Sequence, residues 1–310
     1  MKDSIKKMNE LIKKSRGLFL KTILLVLLPV LIINCYIFYS GYESTVNDYT
    51  KIDAFDFDNI TVKNYMVDFP EALMSVRQAG NTDLNATDIV FYIANYAISV
   101  FIDGFLIILA IHLVFDKEYK TKQIVMLALQ RCFAVVFFGI IASWALSCAG
   151  SAMNSNILKI ICFARGAAHG SKLAPMMLGA AAVTAVIHAG IIYFLLAGVM
   201  MLVFYSTVAA VSGRCRWFAS FRYVLELLDG KKFRQLLHFL VPTLLAFFIP
   251  IVLQAAAMYT GLYTGLVLAG ISVIMQTVFN AMLWFYTVSN FIEFEKERKE
   301  KMKAQTVDNV

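Results

Sequence analysis

Six long apolar stretches divide the 310-residue chain, which is 60% hydrophobic and only 16% charged. A helix needs roughly 20 apolar residues to cross a bilayer. Each stretch is long enough, so the pattern predicts an all-α integral membrane protein with a single polytopic membrane domain over residues 1–310. The predicted spans are Gly17–Ser40, Ile89–Phe115, Cys132–Gly150, Met177–Ala210, Leu236–Thr260 and Gly261–Phe291.

The basic residues are distributed unevenly between the two sides of these spans. The net charge is +7, and the segments on one side hold only six of the 28 Lys and Arg residues. By the positive-inside rule the richer side is cytoplasmic, which predicts a multi-pass cell-membrane protein with both termini in the cytoplasm. The predicted cytoplasmic segments are 1–16, 116–131, 213–235 and 292–310. Because the charge follows the membrane, it does not indicate a nucleic-acid partner.

A basic segment precedes every odd-numbered span, which predicts three parallel hairpin repeats. Ser4–Arg16 and Arg216–Asp229 read as amphipathic helices, with apolar residues at helical spacing on one face. Tyr119–Arg131 is a weaker third copy because it is too apolar to have two distinct faces. We therefore expect each hairpin to follow a cytoplasmic amphipathic helix, with Gly230 ending the one in the third repeat.

Two interpretations of the amphipathic helices remain open. Their apolar faces could lie in the headgroup boundary while basic side chains meet anionic lipids, or they could be connectors whose charges only set topology. The candidate lipid-surface residues are Lys6, Lys13, Trp217, Phe221, Arg222, Lys231 and Lys232. The predicted partners are the lipid bilayer and anionic headgroups, together with another membrane protein or a second copy of the chain.

The predicted outer loop, residues 41–88, carries nine acidic residues and three basic ones. Pro70–Gly80 reads as a short helix, with proline near its start and glycine at its end. Asp53, Asp56 and Asp58 lack the spacing and terminal Glu of a calcium-binding EF-hand loop. We therefore assign no metal site to the loop and no cofactor to the chain.

Asp103 is the acidic residue that lies deepest in any predicted span. A carboxylate there costs several kcal/mol, so it is a functional candidate. At about 1.5 Å per residue, Asp103 and His188 lie at depths that differ by only ~5 Å. The candidate binding residues, all predicted to lie near Asp103, are Tyr92, Asn95, Tyr96, Ser99, His188, Gln276 and Asn280. Such a cluster could relay protons or bind a cation, or it could only tie helices together.

Small residues and prolines predict how the spans pack. Gly261 and Gly265 form a G-x-x-x-G pattern at the start of the sixth span, which predicts a close helix approach. Pro242 and Pro250 lie inside the fifth span, where membrane helices tolerate kinks.

The segment Trp217–Phe239, which reads WFASFRYVLELLDGKKFRQLLHF, resembles a recurrent feature of one bacterial group. That group contains the membrane domain that precedes some glycerophosphodiester phosphodiesterases and its stand-alone YciC-like relatives. The opening KKMNELIKKSRGLFLKTILLVLLP and the closing NFIEFEKERKEK are also similar to these proteins. The resemblance implies a six-span bacterial membrane protein and supplies no catalytic residues. The large acidic first loop departs from the family.

Three functions follow, in order of preference. The first is a non-enzymatic bacterial inner-membrane protein with a lipid-interacting or accessory envelope role. The second is a transporter or channel for a small solute or ion that uses Asp103. The third is a membrane-bound enzyme that modifies lipids; the sequence contains no H-E-x-x-H, G-x-S-x-G, Walker or dinucleotide motif to support it.

Overall fold

The computed structural model describes residues 2–53, 86–116, 120–168, 174–257 and 260–307. Throughout these residues the regular structure is helical, and six helical regions are long and apolar enough to cross a membrane. The all-α six-span prediction is therefore confirmed. The helices are α1 Lys2–Lys14, α2 Arg16–Asp53, α3 Ala86–Val114, α4 Thr121–Ala168, α5 Ala174–Val211, α6 Trp217–Leu227, α7 Lys232–Thr243, α8 Ile249–Ala257 and α9 Leu262–Val307. A five-residue π-helical segment, Leu244–Phe248, joins α7 to α8.

Several helices are longer than the predicted spans. Helix α4 has 48 residues and α9 has 46, which at 1.5 Å per residue is about 70 Å and well beyond the roughly 30 Å of a bilayer core. Helix α2 continues to Asp53, into the segment predicted to be the outer loop. Pro70–Gly80, Asp56 and Asp58 lie outside the described residues.

The middle repeat differs from its predicted form. Helix α4 begins at Thr121 and runs without a break into the third span, so Tyr119–Arg131 does not contain a separate amphipathic helix. The apolar residues that blurred its two faces are the first turns of the spanning helix itself. The first and third repeats do have separate helices, α1 and α6. Helix α6 ends at Leu227, and Gly230 adopts a left-handed conformation at φ 71°.

Helix α9 is the central element of the bundle. It packs against α1, α2, α3, α5, α6, the π-helical segment and α8. Its middle section is almost fully buried, including Leu283, Trp284, Phe285 and Phe291. Consecutive spans also pack in pairs, α2 with α3, α4 with α5, and α8 with α9.

The π-helical segment lies between the two prolines of the fifth span. Proline lacks a backbone N–H, so Pro242 and Pro250 each leave a carbonyl one turn earlier without its usual helical donor. The wider turn at Leu244–Phe248 accommodates this change. The hydroxyl of Tyr193, on α5, donates to the Leu240 carbonyl and ties the irregular span to its neighbour.

We call the end of the bundle that carries α1, α6 and residues 292–300 of α9 the terminal end, and the opposite end the loop end. Helices α1 and α6 pack against the bundle at the terminal end. Leu11 of α1 and Val224 of α6 are buried in the main hydrophobic core, and Met8 and Ile12 pack against it. Leu11 and Val224 are therefore covered by protein, whereas Phe218 and Leu225 of α6 are 73% and 43% exposed.

Ion pairs join the elements of the terminal end to α9. Glu295 is 6% exposed; its Oε1 lies 2.9 Å from Arg214 Nε and accepts a 2.7 Å hydrogen bond from the Tyr223 hydroxyl. Glu293 pairs with Lys7 at 2.9 Å, which holds α1 against α9. Lys231 pairs with Glu297.

Gly265 should be required for the packing of α9. A Cβ atom there would lie 2.5 Å from the Phe38 ring and 2.8 Å from the Ala257 carbonyl oxygen. We expect Gly265→Ala to lower the free energy of unfolding by about 1–3 kcal/mol because the helices must move apart. The measurement is a denaturant titration of the purified protein in detergent. Gly190→Ala is the control, since nothing lies within 4 Å of that position; equal stability of the two variants would contradict the close approach.

Burial raises the pKa of Tyr223 well above its usual range, and the hydrogen bond to Glu295 adds to the effect. Because the folded-state pKa is raised, the stability from the protonated phenol is complete below the ordinary tyrosine pKa of about 10 and declines above it. Tyr223→Phe should therefore cost about 1–2 kcal/mol near neutral pH. Between pH 9 and 11, thermal unfolding midpoints of the wild type should fall more steeply than those of this variant. The exposed Tyr263→Phe serves as control and should follow the wild type.

Candidate functional site

A cavity of about 480 Å³ lies inside the bundle, and Asp103 forms part of its wall. We call it the central cavity. Helices α2, α3, α4, α5 and α9 and the π-helical segment all contribute to its lining. Lining residues begin near the loop end, at Asn34 and Tyr92, and reach Trp284 in the middle of the bundle. The cavity therefore extends from mid-bundle towards the loop end.

Asp103 receives hydrogen bonds from two side chains of α9. The Asn280 amide donates to Oδ1 at 3.0 Å, and the Trp284 indole N–H donates to the same oxygen at 2.7 Å. Both donors are neutral, and within the described residues no Lys, Arg or His forms an ion pair with the carboxylate. The side chain nevertheless remains partly accessible, because it faces the central cavity.

Most of the predicted polar residues meet in this cavity. Tyr92, Asn95, Tyr96 and Ser99 line it along one face of α3 above Asp103, and Gln276 and Asn280 line it from α9. The Asn34 amide donates to the Asn95 side-chain oxygen at 3.4 Å, which adds α2 to the group. The six predicted residues of α3 and α9 thus lie around the cavity with Asp103, as the sequence predicts. Their role in binding stays a prediction.

His188 does not belong to the cluster. Its side chain is exposed on α5, and the lining residues of that helix are Val203, Phe204 and Thr207, about 22 Å or more further along it. The depth estimate assumed that all spans begin in one plane. Instead the α4–α5 hairpin continues beyond the cavity, since α4 runs from the lining residue Leu146 to Ala168, about 33 Å further.

Trp284, which is not among the residues predicted from the sequence, makes the shorter of the two hydrogen bonds to Asp103. Gln276, Asn280 and Trp284 are spaced by four residues and therefore share one face of α9. That spacing was a signal that could have identified it. Its ring also stacks on Phe204 at a centroid distance of 4.0 Å, which links α9 to α5.

Gly139 lets Tyr96 approach α4 closely. The Tyr96 hydroxyl donates to the Val136 carbonyl at 2.8 Å, and a Cβ atom at residue 139 would lie 2.9 Å from that hydroxyl oxygen. The tyrosine is held against the cavity wall by a backbone acceptor, at a position where only glycine leaves enough room.

The candidate lipid-surface residues at the terminal end have different environments. Lys6, Lys13 and Arg222 are exposed, and Arg222 pairs with Glu226 at 3.1 Å, as its spacing predicted. Phe221 packs on Phe138 with ring centroids 5.3 Å apart. Lys231 and Lys232 form ion pairs with Glu297 and Asp229, and the side chain of Trp217 is not among those described.

No group of three His, Cys, Asp or Glu side chains capable of holding a metal ion occurs among the described residues. The chain matches no protein-family model, no curated protein and no solved structure. The resemblance to the YciC-like group therefore stays a prediction.

The charge on Asp103 should make its bond to Trp284 stronger than a neutral hydrogen bond. Trp284→Phe removes the indole donor but keeps a ring against Phe204, and we expect it to cost about 2 kcal/mol of unfolding free energy. In an Asp103→Asn background the same change should cost only about 1 kcal/mol, because the lost bond is then neutral. Denaturant titrations of the four proteins give the double-mutant cycle. Trp144→Phe, at a 71% exposed position, is the control; additive effects would contradict the charged interaction.

Proposed function

We propose that this membrane protein is a transporter that binds a small solute at Asp103, the second of the functions that the sequence suggests. One observation carries the proposal: a carboxylate without a described cationic partner lies at the deep end of a cavity that extends towards the loop end. Intramembrane carboxylates mark substrate or ion pathways because burying them is costly.

The accessibility of Asp103 favours transport over a purely structural role. A polar group that only ties helices is best sealed between them, with its hydrogen-bonding capacity used internally. Here both described donors reach the same oxygen, and Asp103 is only partly buried where it lines the central cavity. The positive charge that neutralises the Asp103 carboxylate is then supplied by a cation or proton that enters the cavity.

The other two functions have less support. The lipid-interacting role relied on free apolar faces, whereas Leu11 of α1 and Val224 of α6 pack in the core, and the exposed apolar surface described on α6 is that of Phe218 and Leu225. The exposed Lys6, Lys13 and Arg222 still support contact with anionic headgroups as an auxiliary property. An enzyme would need partners for acid–base chemistry, yet Asp103 is the one carboxylate among the described residues that line the cavity.

The proposed location is the bacterial inner membrane, with the terminal end in the cytoplasm and the loop end outside. The excess of Lys and Arg in the segments on the terminal side supports this orientation. The central cavity is then open to the outside, which is the state in which a transporter for uptake receives its solute.

Cysteine labelling tests access to the cavity from both sides. In a background without the native Cys35, Cys132, Cys148, Cys162 and Cys215, Ser99→Cys should react with a cationic, membrane-impermeant methanethiosulfonate in intact cells. A transporter alternates between openings, so the same cysteine should also react, more slowly, in inverted vesicles. Ser206→Cys is the matched control, because Ser206 is fully buried on α5 and does not line the cavity.

The outcomes separate the alternatives. Reaction from both sides supports transport. Reaction from one side alone contradicts transport and indicates a binding pocket that opens to that side only. If Ser99→Cys reacts as little as the Ser206→Cys control, the cavity is inaccessible to solvent and the proposal is wrong.

A further inference from the structure

The charge and hydrogen-bonding character of the central cavity indicate which class of solute it accepts. Among the described residues that line it there is no Lys, Arg or His, and the ionisable groups are Asp103 and two tyrosines. An anionic solute entering this space would lose its hydration and meet a carboxylate with no compensating cation. Burying such an unpaired charge is strongly unfavourable, so the cavity disfavours anions.

Three of the hydroxyl groups that line the cavity are already engaged as donors. Ser99 donates to the Asn95 carbonyl at 2.9 Å, Thr277 to the Val273 carbonyl at 2.8 Å, and Thr207 to the Val203 carbonyl at 2.7 Å. A hydroxyl has one hydrogen and two lone pairs. Each of these groups therefore has lone pairs left for a ligand but no hydrogen to offer.

The Asp103 carboxylate likewise offers a hydrogen-bond acceptor to a ligand and no donor. Both described hydrogen bonds to Asp103 end on Oδ1, which leaves Oδ2 as an acceptor for a ligand. A solute with several N–H donors and one positive charge complements these acceptors. A protonated amine has this composition, as the three-donor ammonium of lysine illustrates.

The size of the cavity and its apolar walls favour an organic cation over a metal ion. Ca²⁺ takes 6–8 oxygen ligands at close range, whereas this cavity has a single carboxylate among its described lining residues and a volume of about 480 Å³. That volume falls in the range of small-molecule sites, which are mostly apolar with a few oriented polar groups. Val26, Val30 and Val273 provide apolar wall for an alkyl chain, and Phe204 and Trp284 provide aromatic surface.

We infer that the central cavity selects a monovalent organic ammonium ion, with its charged nitrogen at Asp103 and its alkyl part against the valine and aromatic wall. This inference rests on the proposed solute-binding function and specifies its substrate class. It separates the roles of the two halves of the ligand: the acceptors around Asp103 select the charge, and the apolar wall selects the carbon skeleton.

The test is a binding series with matched probes on the full chain in nanodiscs. n-Butylamine, protonated at neutral pH, is compared with n-butanol, butyrate, potassium chloride and calcium chloride at equal ionic strength. We expect butylammonium to raise the unfolding temperature and to change tryptophan fluorescence through Trp284, and the other four probes to do neither. Asp103→Asn should weaken butylammonium binding by about tenfold or more. Asp229→Asn should leave it unchanged, since Asp229 is an exposed acidic residue outside the cavity.

A second measurement keeps the inference testable if Asp103→Asn does not fold. Butylammonium should slow the labelling of Ser99→Cys, and n-butanol at the same concentration should not. Equal protection by butanol, butyrate or potassium, or no protection by butylammonium, would overturn the inference. The labelling of Ser99→Cys without any solute decides the proposed function separately, so an accessible cavity that prefers another solute class would refute this inference alone.

Discussion

The pair of hydrogen bonds that Asn280 and Trp284 donate to Asp103 fixes the relative position of α3 and α9 in the middle of the bundle. In a bilayer interior a carboxylate has few partners other than those that the protein provides. The two helices must therefore keep one rotation and one depth relative to each other, and α2, α4 and α5 complete the wall around the bond. Stacking of Trp284 on Phe204 extends the same constraint to α5.

Helix α9 connects this polar centre to the terminal end. About three helical turns separate Trp284 from Glu295, which pairs with Arg214 and accepts the Tyr223 hydroxyl bond. The connectors that flank α6 and the residues around Asp103 thus contact one continuous helix. A rotation of α9 would therefore change the contacts of both the central cavity and the terminal end.

Much of this architecture follows from the sequence because a membrane helix is specified by apolar length, and the six spans were predicted from it. The grouping of Asp103 with Asn280 and the α3 polar residues also follows, since four-residue spacing places side chains on one face. His188 was misplaced because sequence alone does not show that the α4–α5 hairpin starts further out than its neighbours. Trp284 was overlooked because a tryptophan in an apolar span is usually interpreted as a residue that only packs in the hydrophobic core. The apolar residues of α1 and α6 fit the same pattern whether they meet lipid or protein, and only the fold shows that Leu11 and Val224 are buried while Phe218 is exposed.

Gly139 keeps Tyr96 against the α4 wall of the central cavity. An added Cβ atom at residue 139 would force the Tyr96 hydroxyl to shift, because the two atoms would lie 2.9 Å apart. Gly139 itself lines the cavity, so a larger residue there would reduce the space beside Tyr96 and leave the hydrogen bonds of Asp103 in place. The size of this space and the polar group at its end can therefore change independently.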